Sequence, residues 1–175
     1  MSTLKKAVLD EFEQLNIEDA LQWVLGRIAL KPEAVFSEHF IRKLHRRMYA
    51  KVWTWAGKFR KTDKNIGVPK EEVATALRML CEEALFWFRN ETFSPDEIAV
   101  RFKHRLVSIH CFPNGNGRHS RLMADIIAGK LYDGKMFSWG AGNLVQTGEL
   151  RSNYLQALRA ADAGDYALLL AFSRA

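Results

Sequence analysis

His110-Cys111-Phe112-Pro113-Asn114-Gly115-Asn116-Gly117-Arg118-His119-Ser120-Arg121 decides how this chain is read. An apolar run ends at the histidine and another begins at Leu122, so the stretch is a loop between two helices. Gly115 and Gly117 admit backbone conformations closed to other residues, which lets consecutive N–H groups turn inward as an anion-binding nest. The helix that follows starts with its positive end facing the same place. Arg118 and Arg121 share one face of that helix and would converge on one anion, and a guanidinium grips phosphate in a two-pronged way that lysine cannot.

Each part also has an ordinary reading. Asn-Gly-Asn-Gly makes a plain surface turn, and a histidine ending an apolar helix is often a buried, hydrogen-bonded structural residue. The conjunction of a base, a nest and paired arginines favours a phosphate-handling site. It is not a Walker loop, because the Gly-Lys-Ser/Thr ending is missing, and no strand precedes it as a dinucleotide fingerprint requires.

The stretch resembles the signature of the Fic family: His-Pro-Phe, any residue, Asp or Glu, Gly-Asn-Gly-Arg, any two residues, Arg. Only Cys111 in place of proline and Asn114 in place of the acidic residue depart from it. Trp55-Ala56-Gly57-Lys58-Phe59-Arg60 upstream, and Arg151, Tyr154 and Gly164-Asp165-Tyr166 downstream, are weaker family-like features. Within the family the likeness is greatest to the branch called mobile mystery protein B, in which Pro-Asn-Gly-Asn-Gly-Arg-His also occurs.

The resemblance implies a protein adenylyltransferase that moves AMP from ATP to a hydroxyl side chain of a target protein. His110 would take the hydroxyl proton and Phe112 would fix the loop by burial. Gly115, Asn116 and Gly117 would present the nest, while Arg118 and Arg121 would bind the β and γ phosphates. Asn114 stands where the family holds Mg2+ with an acid, so the metal would be carried mainly by the nucleotide and catalysis would be impaired or altered. Lys61, Thr62, Asp63, Lys64, Asn65, Ile66 and Gly67 occupy the place of the family's flap, a hairpin that holds an extended target segment by strand addition. An antitoxin or inhibitory partner is a further implication. The family's internal inhibitory pattern is Ser or Thr, three residues, Glu, then Gly or Asn. No glutamate here is followed by Gly or Asn, so the first helix is read as a packing helix. Two alternatives stay open: a different Fic-type transferase moving phosphate or another nucleotide, and a nucleotide-binding interaction protein that has lost chemistry through Asn114.

Length and composition suit a chain that buries its own core: 175 residues, 48% of them apolar. The formal charge of +6 raises the question of nucleic acid. Its one dense run, Arg42-Lys43-Leu44-His45-Arg46-Arg47, is read as a solvated helix face, with no nucleic-acid motif beside it. Cys81 and Cys111 form no metal or redox pattern, which suits a reducing, cytoplasmic setting. The first fifteen residues carry Asp10, Glu11 and Glu13 and lack the long apolar core of a secretory signal, and no run reaches membrane-spanning length.

Apolar spacing predicts helices along most of the chain. Leu9, Phe12, Leu15, Ala20, Trp23 and Val24 mark one interrupted helix or two short ones. Ser37 caps a helix that buries Phe40, Ile41, Leu44, Met48 and Val52, and Trp53 and Trp55 close it against the core. Residues 58–68 lose the helical stripe and read as a short hairpin. Pro69 opens a helix through Val73, Leu77, Leu80 and Ala84, and Ser94-Pro95-Asp96-Glu97 opens the one that ends at His110. His104 lies six residues before His110, too far round the helix for a metal pair. Trp139 either packs or borders the ligand. Thr147 caps a helix through Leu150 and Tyr154, and a last helix follows Asp165. The expected architecture is all-α with a short β-hairpin flap. Residues 1–36 form an N-terminal helical segment packed on a Fic-like catalytic domain at 37–175.

Overall fold

In the computed structural model, which describes residues 3–26, 29–141 and 147–175, the helix that ends at His110 is the central element. This helix, α5 (Pro95–Ile109), starts where Ser94 accepts the Glu97 amide at 3.3 Å and proline takes the first position. The Glu97 carboxylate turns forward to Arg101 at 2.7 Å rather than back to the cap. Ile98, Ala99, Val100, Phe102 and Leu106 are buried, and so are Lys103 and His104. A helix covered nearly all round can only lie in the core. It packs against α4 (Val73–Arg89), α6 (Asn116–Ile126) and α8 (Ala167–Arg174).

The other helices follow the same logic. Ser37 caps α3 (Glu38–Tyr49) by accepting the Phe40 amide at 3.2 Å. That helix buries Phe40, Ile41, Leu44 and Met48 and leaves Arg42, Lys43, Arg46 and Arg47 exposed. The basic run is therefore a solvated face. The first apolar segment is one continuous helix, α1 (Thr3–Leu25), which packs on α3 with Ala20 and Val24 buried, while Leu15 faces outward. A one-turn helix, α2 (Pro32–Val35), leads into α3. A 3-10 turn at Lys70–Glu72 follows Pro69 and feeds α4. The end of α6 widens into a π turn at Ile127–Leu131. Asp165 accepts the Ala167 amide at 3.0 Å and starts α8, which packs on α7 (Thr147–Asp162). The expected cap from Thr147 and the inward-facing Leu9 and Phe12 lie outside the described side chains. Among the described residues no helix is long and apolar enough to cross a membrane.

The hairpin expected at 58–68 does not form: no strand occurs among the described residues. The segment is instead a loop whose ends are fastened to the corner between α5 and α6. The Arg60 amide donates to the Cys111 carbonyl at 2.9 Å and the Val68 amide to that of Ile109 at 3.4 Å. The Arg60 guanidinium then closes the loop on itself, donating to Thr62 O at 3.0 Å and to Val68 O. Groups that a hairpin would have paired across its two arms are thus satisfied by an arginine side chain and by another element.

Candidate active site

The backbone turns at His110, which closes α5 in a left-handed conformation (φ 58, ψ 59). Residues with a Cβ rarely adopt that conformation, and here it swings the half-buried ring out of the helix line into a cavity of about 290 Å3. Asn114, Gly115, Asn116, Gly117, Arg118 and Arg121 complete the lining. Nδ1 is buried with no hydrogen-bond partner, so Nε2 is the nitrogen that meets the cavity. Burial depresses the ring's pKa below its usual value of 6.5, with further lowering from the charges of Arg60 and Lys64. The Val107 carbonyl opposes the shift but is too poorly placed to count as a bond partner.

Only one glycine takes the role expected of both. Gly115 has φ 78, and a Cβ there would lie 2.5 Å from the Tyr49 ring. Gly117 belongs to α6, has helical geometry and would meet nothing within 4 Å, so it leaves open space in front of the helix end. The first amide used inside α6 is that of His119, to Gly115 O at 3.0 Å. The amides before it have no intrahelical acceptor, and this end of the helix faces the cavity. Asn116 does not point its side chain at the cavity. It is 5% exposed and staples the loop, accepting from Phe112 N at 2.9 Å and donating to Phe112 O at 2.8 Å. Phe112 itself is fully buried, as its expected anchoring role requires.

A latch from α3 holds the loop from behind, and nothing in the motif itself points to it. His45 Nδ1 accepts from the Gly57 amide at 2.9 Å, so the proton sits on Nε2, which donates to Asn114 O at 3.0 Å. The ring stacks on Phe112 at 3.7 Å, and Tyr49 reaches Gly115 O at 3.4 Å. His119 donates to Ile41 O at 2.9 Å from the other side. Burial lowers His45 to about 4 and His119 to about 3. The unfolded chain therefore takes up protons first. Their stabilisation is intact above about pH 6.5 and is lost as pH falls toward 4, by roughly 2 kcal/mol per histidine at pH 5. The urea midpoint should accordingly be lower at pH 5 than at pH 7.5, and equal midpoints would contradict the latch.

Arg118 and Arg121 both line the cavity, as their spacing on α6 predicts. Arg118 lies over the Tyr49 ring at 5.6 Å. Arg121 lies 4.8 Å from the Tyr154 ring and 6.0 Å from that of Trp139, and its Nε is buried without a hydrogen-bond partner. Trp139 thus both packs, against Phe137 at 5.1 Å, and borders the arginine. Behind them Lys103, fully buried, donates to the Tyr154 hydroxyl. Burial raises the pKa of that hydroxyl, but the charges of Lys103 and then Arg121 outweigh it and the net shift is downward. Sequence reasoning misses Lys103, because a lysine on a helix is ordinarily exposed.

The seven residues from Lys61 to Gly67 are all exposed beside this cavity. Gly67 has φ 98, and a Cβ there would stand 2.7 Å from His110 Cβ. Cys111, next to the base, is buried, which raises its thiol to about 12 and leaves it unreactive. His104 is engaged by Asp162 at 2.7 Å and Tyr166 at 2.9 Å. A larger hollow of about 960 Å3 lies between α1 and α3 and does not include His110.

For Mg2+ the protein offers little. No carboxylate lines the cavity, and Asn114 Oδ1 already accepts from Gly115 N at 2.8 Å. No group of three His, Cys, Asp or Glu among the described residues could hold a metal. The donor set fits an ion that arrives with most of its ligands, not one bound by the chain alone.

A family model described as Fic/DOC family matches residues 35–128. Protein adenylyltransferase fic-1 of Caenorhabditis elegans is 27% identical over 168 residues, 91% of this chain and 31% of that protein. Protein adenylyltransferase Fic of Nematostella vectensis is 28% identical over 131 residues, 73% of this chain and 30% of that protein. This chain therefore spans about a third of the length of those relatives. Among solved structures, Fic-1 from C. elegans superposes with a TM-score of 0.75 at 24% identity, covering 95% of this chain and 48% of that one. BepC from Bartonella tribocorum, solved with bound AMPPNP, gives 0.70 at 16% identity, covering 96% and 85%.

Proposed function

We infer that this chain, which belongs to the Fic/DOC family, is a protein adenylyltransferase that transfers AMP from ATP to a Ser, Thr or Tyr hydroxyl of a target protein. The observation that carries this reading is the meeting of His110, the open end of α6 and two arginines in one cavity. The adenylyltransferase names of the relatives above support it, as does the bound ATP analogue in BepC.

Each group has a step. His110 Nε2, held neutral by its depressed pKa, takes the proton of the target hydroxyl. The hydroxyl oxygen forms a bond to the α phosphorus while the bond from that phosphorus to the α–β bridging oxygen breaks. Pyrophosphate leaves, and its charge develops where Arg118, Arg121 and the α6 amides already point. The exposed 61–67 loop holds the target segment beside His110, where a Cβ on Gly67 would stand 2.7 Å from His110 Cβ and the Lys64 charge acts on the ring. The family match begins at residue 35, which supports treating 1–36 as a segment packed on a catalytic domain at 37–175.

Incubating the protein with a cell lysate and ATP labelled at the α or the γ phosphate tests the assignment. Label retained only from the α position supports AMP transfer. Label from the γ position alone would replace it with phosphate transfer, and no label from either would leave a binding protein.

Mg2+ arriving with the nucleotide would offset phosphate charge, and Asn114 Oδ1, which already accepts from Gly115 N, would be this chain's ligand to it. Asn114→Asp adds a full charge to a hard-cation ligand. A unit charge at about 4 Å with an effective dielectric of ~20 corresponds to roughly 4 kcal/mol before desolvation. Desolvation removes most of that, so the half-saturating Mg2+ concentration should fall on the order of tenfold, with faster transfer. Calorimetry of ATP binding across a Mg2+ series and initial labelling rates would both report it, and identical Mg2+ dependence in the two proteins would contradict it.

A further inference from the structure

Arg60 is 3% exposed and does not line the cavity, yet it touches His110, whose backbone is held at a positive φ of 58. Its Nε donates to His110 O at 2.6 Å, its Nη1 to Thr62 O at 3.0 Å, and its Nη2 to Val68 O. Its own amide donates to Cys111 O at 2.9 Å, and the Asp63 carboxylate lies 3.7 Å from the guanidinium. One side chain therefore joins both ends of the 61–67 loop to His110, the residue that closes α5. A left-handed conformation at a residue bearing a Cβ is unfavourable and persists only where the surroundings enforce it. Gly67 belongs to the same joint, because a Cβ there would stand 2.7 Å from His110 Cβ and 3.1 Å from Arg60 Nη2.

Resting on the reading of His110 as the base, we propose that Arg60 is a positioning residue. It holds His110 in its left-handed conformation and ties that conformation to the loop on which the target segment lies. Occupancy of the loop and placement of the base are then linked through one guanidinium. The link is geometric first, since three carbonyls fix a planar fork in a way no lysine could reproduce.

It is also electrostatic. The charged groups that act on the His110 ring from the loop are Arg60 and Lys64, both lowering its pKa. Arg118 and Arg121 share its cavity from α6, and Val107 presents a carbonyl from α5. No carboxylate lines that cavity to offset them.

The test uses the full chain with Arg60→Gln, Arg60→Lys and Gly67→Ala. Two readouts are needed: AMP transfer as a function of pH, and titration of the His110 ring by carbon NMR in the resting protein. Arg60→Gln should lower kcat by about 10- to 100-fold and leave the ATP KM within about twofold, because Arg60 meets no nucleotide. It should also raise the NMR midpoint and the acidic limb of the rate profile toward the ordinary histidine value. Arg60→Lys keeps the charge but not the fork, so kcat should fall while the midpoint stays low. Gly67→Ala should lower kcat with the midpoint nearly unchanged. Wild-type kcat and midpoint in folded Arg60 variants would overturn the proposal. Should Arg60→Gln fail to fold, the exposed Gly67→Ala decides, and unchanged kcat and His110 shifts there would overturn it. If the wild type transfers no AMP, or His110→Ala labels as well as wild type, the functional reading fails. The resting-state midpoint then still decides whether Arg60 governs the histidine.

Discussion

Replacing His110 by Ala should reduce AMP transfer by about two to four orders of magnitude while ATP affinity stays within about twofold. The ring meets the cavity with one nitrogen and holds no loop carbonyl or amide with its side chain. The contacts that shape the corner run through its backbone instead, to Leu106 O at 3.3 Å and from Arg60 at 2.6 Å. Alanine keeps those contacts at the same dihedral angles, so what is removed is the proton acceptor. The wild-type rate should fall as pH drops through a midpoint below 6.5, because burial, Arg60 and Lys64 all favour the neutral ring. Steady-state labelling with α-labelled ATP, paired with calorimetry, measures both halves. Equal labelling by the two proteins would remove His110 from the mechanism.

Arg121→Ala should weaken ATP by about 30-fold or more while changing AMP by less than about threefold. Its guanidinium is preset between the rings of Tyr154 and Trp139, and its buried Nε has no partner in the protein. Buried donors are rarely left unsatisfied, so this one points to an acceptor delivered by the ligand. That acceptor is read as a terminal phosphate, since Arg121 sits a full turn beyond the open end of α6. Arg121→Lys should not restore affinity, because an ammonium neither forks nor stacks in the same way. Calorimetric titrations with ATP, ADP and AMP decide the matter, and an equal loss for all three would place Arg121 elsewhere on the nucleotide.

Much of this molecule is written locally in its sequence. Ser37, Ser94 and Pro95 start helices where their chemistry says they should, and the apolar run into Ile109 does deliver His110 at a helix end. Arg118 and Arg121 fall on one cavity because helix periodicity is a local property. What could not be read depends on partners far away in the chain. The turn formers at Asp63, Asn65 and Gly67 are equally suited to a hairpin and to a loop, and the choice is made by Arg60 and the carbonyls of 109–111. Asn116 resembles a phosphate-facing residue until its amide is seen bound to Phe112 on both sides. Gly117 looks like a second nest residue, yet helix geometry at α6 claims it.

The α3 latch bears on transplantation. A protein engineer who grafted residues 110–121 onto another helical hairpin would carry the base, the glycines and both arginines, and would still leave the site behind. The loop's rear carbonyls, Asn114 O and Gly115 O, are held by His45 and Tyr49, more than sixty positions away. Its front corner is held by Arg60. The smallest portable unit therefore includes a turn of α3 and the buried arginine as well as the motif. A search of natural proteins for functional copies would do better to require those distant residues than another matched position inside the twelve.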